Sequence, residues 1–177
     1  MLHPNTASNR AAVDAGGAEV GAALRGGCGC GAVRYEISEP LTGAAYCHCT
    51  RCQRRSGTAA SASGRVARGS FRVVSGEAQL RAWRPDGGWE KWFCGTCGSA
   101  LFSRSPNDPD RLAVRLGSFD GDPGIRPALH QFVAYAAQWE ALPDDGLPRY
   151  PETRPRPHAH TAQEDVRGRA GRQPTRS

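Results

Sequence analysis

The seven cysteines of this chain fall in three tight clusters, Cys28-Gly29-Cys30, Cys47-His48-Cys49-Thr50-Arg51-Cys52 and Cys94-Gly95-Thr96-Cys97. No other feature limits the fold as strongly. Cysteines one or two residues apart can aim their sulfurs at a common point, whereas a disulfide between such near neighbours closes a strained ring. Seven thiols do not divide into disulfides, but they do divide into four and three. That division describes one closed tetrahedral zinc site and one zinc site with a vacant position, where chemistry as well as scaffolding is expected. A redox pair in the last cluster and a secreted disulfide framework are the weaker readings. Glycines at 29, 31 and 98 are expected to let backbone amides approach the sulfurs and offset thiolate charge.

The rest of the sequence is consistent with a reducing compartment. The first twenty-five residues lack a basic start followed by an uninterrupted apolar run, because Asp14, Glu19 and several glycines break it. Neither a signal peptide nor a membrane anchor is expected, and the location is read as cytoplasmic. A chain of 177 residues, 38% hydrophobic, can bury one modest core, to which structural zinc adds folding free energy on the order of 10 kcal/mol. The formal net charge of +6 raises nucleic-acid binding. However, residues 152–177 hold Arg154, Arg156, Arg167, Arg169, Arg172 and Arg176 against Glu152, Glu164 and Asp165, so half of the excess lies in a segment too poor in apolar residues to fold alone. Residues 1–25 and 152–177 are therefore read as disordered, flanking one zinc domain over 26–151.

Short alternating segments between turn residues predict a mainly β domain. Strands are expected at 32–37, 70–75, 78–84, 89–93, 100–103, 112–116 and 130–135, with a helical turn over 50–55 ended by Ser56-Gly57. Pro85-Asp86-Gly87-Gly88 predicts a hairpin across which Trp83 and Trp89 meet. Trp92, Phe93 and Trp139 are expected in the core. Cys28 and Cys30 precede the first strand, while Cys94 and Cys97 lie at a later strand-to-strand turn. A metal on all four would clasp the sheet, although spacing alone leaves the pairing open.

The chain resembles the glutathione-dependent formaldehyde-activating enzyme (GFA) family, also called centromere protein V-like (CENP-V). The resemblance rests on Gly26-Gly27-Cys28-Gly29-Cys30-Gly31-Ala32-Val33-Arg34-Tyr35, on Cys47-His48-Cys49-Thr50-Arg51-Cys52 with Ser56-Gly57, and on Phe93-Cys94-Gly95-Thr96-Cys97-Gly98. It extends through Arg115-Leu116-Gly117-Ser118-Phe119-Asp120, His130 and Trp139 to Asp144-Asp145-Gly146-Leu147-Pro148, where a glycine interrupts the family's usual closing segment. The resemblance implies a β-tent fold with two zinc ions. Cys28, Cys30, Cys94 and Cys97 match the structural ligands, and Cys47, Cys49 and Cys52 match the catalytic-zinc ligands. It also implies a carbon-sulfur lyase acting on a thiol adduct such as S-hydroxymethylglutathione, formed from glutathione and formaldehyde.

Beside this reading stand two others: a zinc-stabilised nucleic-acid-binding or scaffold module using the basic tail, and a thiol redox or zinc sensor. The expected partner is a small thiol, glutathione or a similar one, with no membrane and no signal for an oligomer. His48, flanked by two ligands, is expected to face away from their metal. His130 is read as a packed, hydrogen-bonded residue sooner than a proton shuttle. Arg51, Arg54 and Arg55 flank the open cluster, where they either clamp substrate carboxylates or form a solvated surface turn.

Overall fold

The computed structural model describes residues 23–155. Most of the expected tails, 1–22 and 156–177, lies outside the described residues. Among the described residues eleven strands form in chain order: β1 Leu24–Gly27, β2 Arg34–Ile37, β3 Gly43–Cys47, β4 Ser61–Arg65, β5 Phe71–Ser75, β6 Leu80–Trp83, β7 Glu90–Cys94, β8 Ala100–Ser105, β9 Asp108–Arg115, β10 His130–Gln131 and β11 Arg149–Tyr150. One helix, α1, spans Thr50–Ser56. The fold is mainly β, as expected, and ordered strand begins at Leu24, two residues before the anticipated boundary.

The strands make two sheets. A small antiparallel one runs β1-β2-β5, and a large one runs β11-β10-β3-β4-β9-β8-β7-β6. The large sheet is antiparallel except at one end, where β10 pairs parallel with both β3 and β11. Because successive side chains alternate between faces, its register sorts residues into two rows. Trp92 pairs with Phe102, Phe102 with Val114, Val114 with Gly64, and Gly64 with Ala44. That row meets the small sheet in the core, where Phe71 lies 4.9 Å from Phe102 and 5.4 Å from Tyr35 between ring centroids. Tyr35, Ile37, Phe102 and Val114 are almost wholly buried there.

The opposite row is polar. Lys91 pairs with Ser103, Ser103 with Ala113, and Arg115 with Ser63, while Ser61 pairs with Cys47. Helix α1 lies over this face, tied to it by Arg55 Nη2 donating to the Trp92 carbonyl at 2.7 Å. Gly26 lets β1 lie against the turn after β9, since a Cβ there would fall 2.3 Å from the Tyr35 hydroxyl and 2.4 Å from the Ser118 carbonyl. Tyr35 and Ser118 bond at 2.7 Å across this contact.

Several local expectations are corrected. The hairpin register sets Trp83 opposite Lys91, so Trp83 and Trp89 do not pair. Arg51 lies over Trp83 and Arg111 over Trp89 instead. The strand expected over 130–135 ends at Gln131, because Phe132 takes φ 61° and starts a short 3-10 turn. Trp139 is 69% exposed and outside the core, whereas Trp92 packs against it.

Candidate metal and thiol site

The cysteines gather into two groups, Cys28 with Cys30, Cys94 and Cys97, and Cys47 with Cys49 and Cys52; within each, all sulfurs lie within 4.8 Å of one another. In the first group Cys28 and Cys30 approach to 3.5 Å, and Cys30 and Cys94 to 3.9 Å. Four sulfurs about 2.3 Å from one zinc stand roughly 3.8 Å apart, so the donors fit a tetrahedral ion. The turn after β1 supplies one pair and the end of β7 the other. The Val33 amide donates to Cys28 Sγ at 3.2 Å. The glycine amides have other partners: Gly29 bonds the Ser99 hydroxyl, Gly31 the Cys28 carbonyl and Gly98 the Cys94 carbonyl. Their role is to shape the turns rather than to contact sulfur. The Ser99 hydroxyl, followed by its amide, brings the Cys97 thiol down to about 5.

The second group comes from one segment. Strand β3 ends at Cys47, Cys49 caps α1 by accepting from the Cys52 amide, and Cys52 lies buried on the first turn. Gly57, at φ 68°, closes the helix in the left-handed region that a glycine enters without strain. Cys47 and Cys49 sulfurs lie 3.6 Å apart. The neighbouring Cys49 and Cys52 sulfurs push the Cys47 thiol far up, while the Cys47 and Cys49 sulfurs, with the charge of Arg115 and the hydroxyl of Ser61, hold Cys52 well below the usual thiol range. Three sulfurs this close cannot all ionise without a cation among them, so this donor set also fits a thiophilic dication.

His48 turns away from the sulfurs. Its Nε2 lies 2.8 Å from Nδ1 of His130, whose Nε2 lies 2.9 Å from Asp145. With the carboxylate accepting from His130, His130 accepts from His48, leaving His48 Nδ1 buried without a partner. Both rings are buried, and burial followed by the charge of His130 lowers the His48 pKa. The arrangement is the packed, hydrogen-bonded one, and it ties the ligand loop to the closing segment.

Of the flanking arginines, Arg51 donates to the Gly87 carbonyl at 3.0 Å and Arg54 is exposed. Only Arg55 reaches inward. It lines a cleft of about 400 Å³ with Cys52, Ser61 and Arg115, opposite Gly29 and Ser99. The cleft thus runs between the two cysteine groups. Lys91, on the same sheet face, donates to Ser103 at 3.3 Å.

The model of the glutathione-dependent formaldehyde-activating enzyme family matches residues 23–135, more than half of the chain. The protein belongs to the GFA family. The match includes both cysteine groups and ends before Asp145. A crystal structure of a Rhodobacter sphaeroides protein, solved by structural genomics, is similar at 31% identity, covering 58% of this chain and 91% of that one with a TM-score of 0.44. No curated protein matches.

Sequence reading missed Arg115 and Lys91 as parts of this GFA site. The available signal was Lys91 itself, the one lysine of the chain, placed in an apolar strand beside Trp92 and Phe93.

Proposed function

We propose that this GFA-family protein is a zinc-dependent carbon-sulfur lyase-type enzyme acting on a thiol adduct such as S-hydroxymethylglutathione. The observation that carries the reading is the incomplete donor set of Cys47, Cys49 and Cys52, which reaches a cleft through Cys52, in a chain that also holds a complete four-cysteine set. A zinc ion on the three sulfurs supplies an open position and acidifies a thiol that enters it. In this reading Cys28, Cys30, Cys94 and Cys97 hold a second, structural ion.

The chain's own contributions are positional and electrostatic. Cys47, Cys49 and Cys52 are held as ligands, not as nucleophiles, by the strand end and the capped helix. Arg55 and Arg115 supply positive charge beside them, favouring an ionised thiol in the cleft. That thiolate adds to the formaldehyde carbon, and the carbonyl electron pair takes up the proton the thiol released. The reverse step breaks the carbon-sulfur bond. Thiolate ligands of this kind suit a reducing compartment, and we place the protein in the cytoplasm on that ground.

The test is formaldehyde consumption in the presence of glutathione by the native protein and by Cys49→Ser. The expected result is turnover by the native chain and none by the variant, with the four-cysteine metal retained. Equal turnover by both would overturn the assignment.

A further inference from the structure

The cleft beside Cys52 carries more positive charge than a neutral electrophile requires. Arg55 and Arg115 line it with Cys52, and Lys91 stands on the same sheet face, donating to Ser103. Burial first, then repulsion from Arg115, brings Arg55 down to about 10. Burial likewise lowers Lys91, with Arg115 and Arg55 adding to the effect. None of the ion pairs among the described residues involves these three side chains. A dication on three thiolates leaves one negative charge against three cations, an excess of two positive charges. An incoming thiolate takes one of them. Glutathione and formaldehyde offer nothing close to the reacting sulfur to take the other.

The geometry puts the surplus next to that sulfur. Arg115 Nη1 donates to Ser61 and, at 2.7 Å, to Ser63. Ser61 sits opposite Cys47 in the sheet, and with Arg115 it lines the same cleft as Cys52. One serine therefore joins the Arg115 guanidinium to the strand position paired with the ligand Cys47. Arg55 stands one helical turn from Cys52, and its Nη1 is buried with no hydrogen-bond partner while Nη2 is used on Trp92. An unpaired buried guanidinium nitrogen is costly until an acceptor arrives, and a carboxylate fits two guanidiniums best.

We propose that Arg55 and Arg115 form a carboxylate subsite, and that the adduct handled here bears a carboxylate within two or three bonds of its sulfur. The carboxylates of glutathione lie farther from its sulfur than this. Two sources share the chemistry: a 2-oxo acid such as glyoxylate as the electrophile, or a mercapto acid as the thiol. With glyoxylate the step is R–SH + OHC–COO⁻ → R–S–CH(OH)–COO⁻. The carbon-sulfur bond forms, the carbonyl π pair moves to oxygen, and that oxygen takes the thiol proton. No oxidant or reductant is needed. The inference rests on the thiol-adduct reading above.

The experiment uses the full chain with cobalt in place of zinc and follows the visible absorption while mercaptoacetate or its neutral amide is added. The carboxylate thiol is expected to bind at least about tenfold more tightly, against the intrinsic trend, because the amide's thiol is the more acidic. Arg55→Gln and Arg115→Gln are each expected to reduce that preference to about twofold or less. With neutral 2-mercaptoethanol as the thiol, proton NMR then compares hemithioacetal exchange for glyoxylate and formaldehyde. Faster exchange with glyoxylate assigns the carboxylate to the electrophile; a preference seen only with mercaptoacetate assigns it to the thiol. Equal binding of acid and amide by the native protein would overturn the subsite while leaving the open thiol site standing. A spectrum unmoved by either thiol would overturn both.

Discussion

The two cysteine groups use the same ligand atom in opposite settings. The four-cysteine group joins segments more than sixty residues apart, has Cys28 and Cys94 buried and Cys30 and Cys97 exposed, and is contacted by the Val33 amide and the Ser99 hydroxyl. The three-cysteine group comes from one strand end and one helix turn, and its surroundings are Arg55, Lys91, Arg115 and a cleft. A metal that links distant chain removes conformational freedom and stabilises the fold. A metal held by a local loop contributes less to folding and leaves one side open to a ligand. The lesson is that donor type identifies the metal, while the origin and neighbours of the donors identify the role.

The largest expected effect is on the clasp. Cys94→Ser leaves a buried polar atom and three ligands, and it should cost several kcal/mol, out of an order of 10 kcal/mol for a structural zinc. The variant should be largely unfolded by circular dichroism at 25 °C, whereas Cys49→Ser should melt within a few degrees of the native protein. Equal loss in both variants would break the contrast.

Next is the order of metal release. Stepwise addition of a chelator, with released zinc read by an indicator dye, should empty the three-cysteine group first, before any loss of β signal. The two sites emptying together, with unfolding, would mean that the local loop is structural too.

A smaller effect is expected where the open site is tied to the closing segment. The bond from His130 holds the Asp145 carboxyl below its ordinary range. A lowered carboxyl contributes stability that is present above its unfolded pKa and is lost as pH falls through its folded value. Asp145→Asn should therefore lower the denaturant midpoint modestly at pH 7 and flatten its fall on acidification, so that the difference from the native protein closes below about pH 4. The steepness unchanged in the variant would show that the link contributes nothing.

How much of this contrast could be read from the sequence follows from its physics. The cysteine spacing and the alternation of Tyr35, Ile37, Phe71 and Val73 are local, and they anticipate the metal groups and the small sheet. Strands β3 and β4, Gly-Ala-Ala-Tyr-Cys and Ser-Ala-Ser-Gly-Arg, carry almost no large apolar side chains. Their pairing is dictated by the sheet around them, and small residues are what the covering helix needs. The polar face that holds Ser61, Lys91 and Arg115 exists only once four strands are in register. A single segment therefore gives no sign of it. Arg51, Arg54 and Arg55 look equivalent in sequence, yet one helical turn sends only Arg55 into the cleft.

The central claim is that three sulfurs hold a metal separately from the other four. Elemental analysis of freshly reduced, full-length protein tests it most directly, comparing the native chain with Cys49→Ser. Two equivalents of zinc in the native protein and one in the folded variant are predicted. One equivalent in both, or cystines in place of metal, would contradict the account.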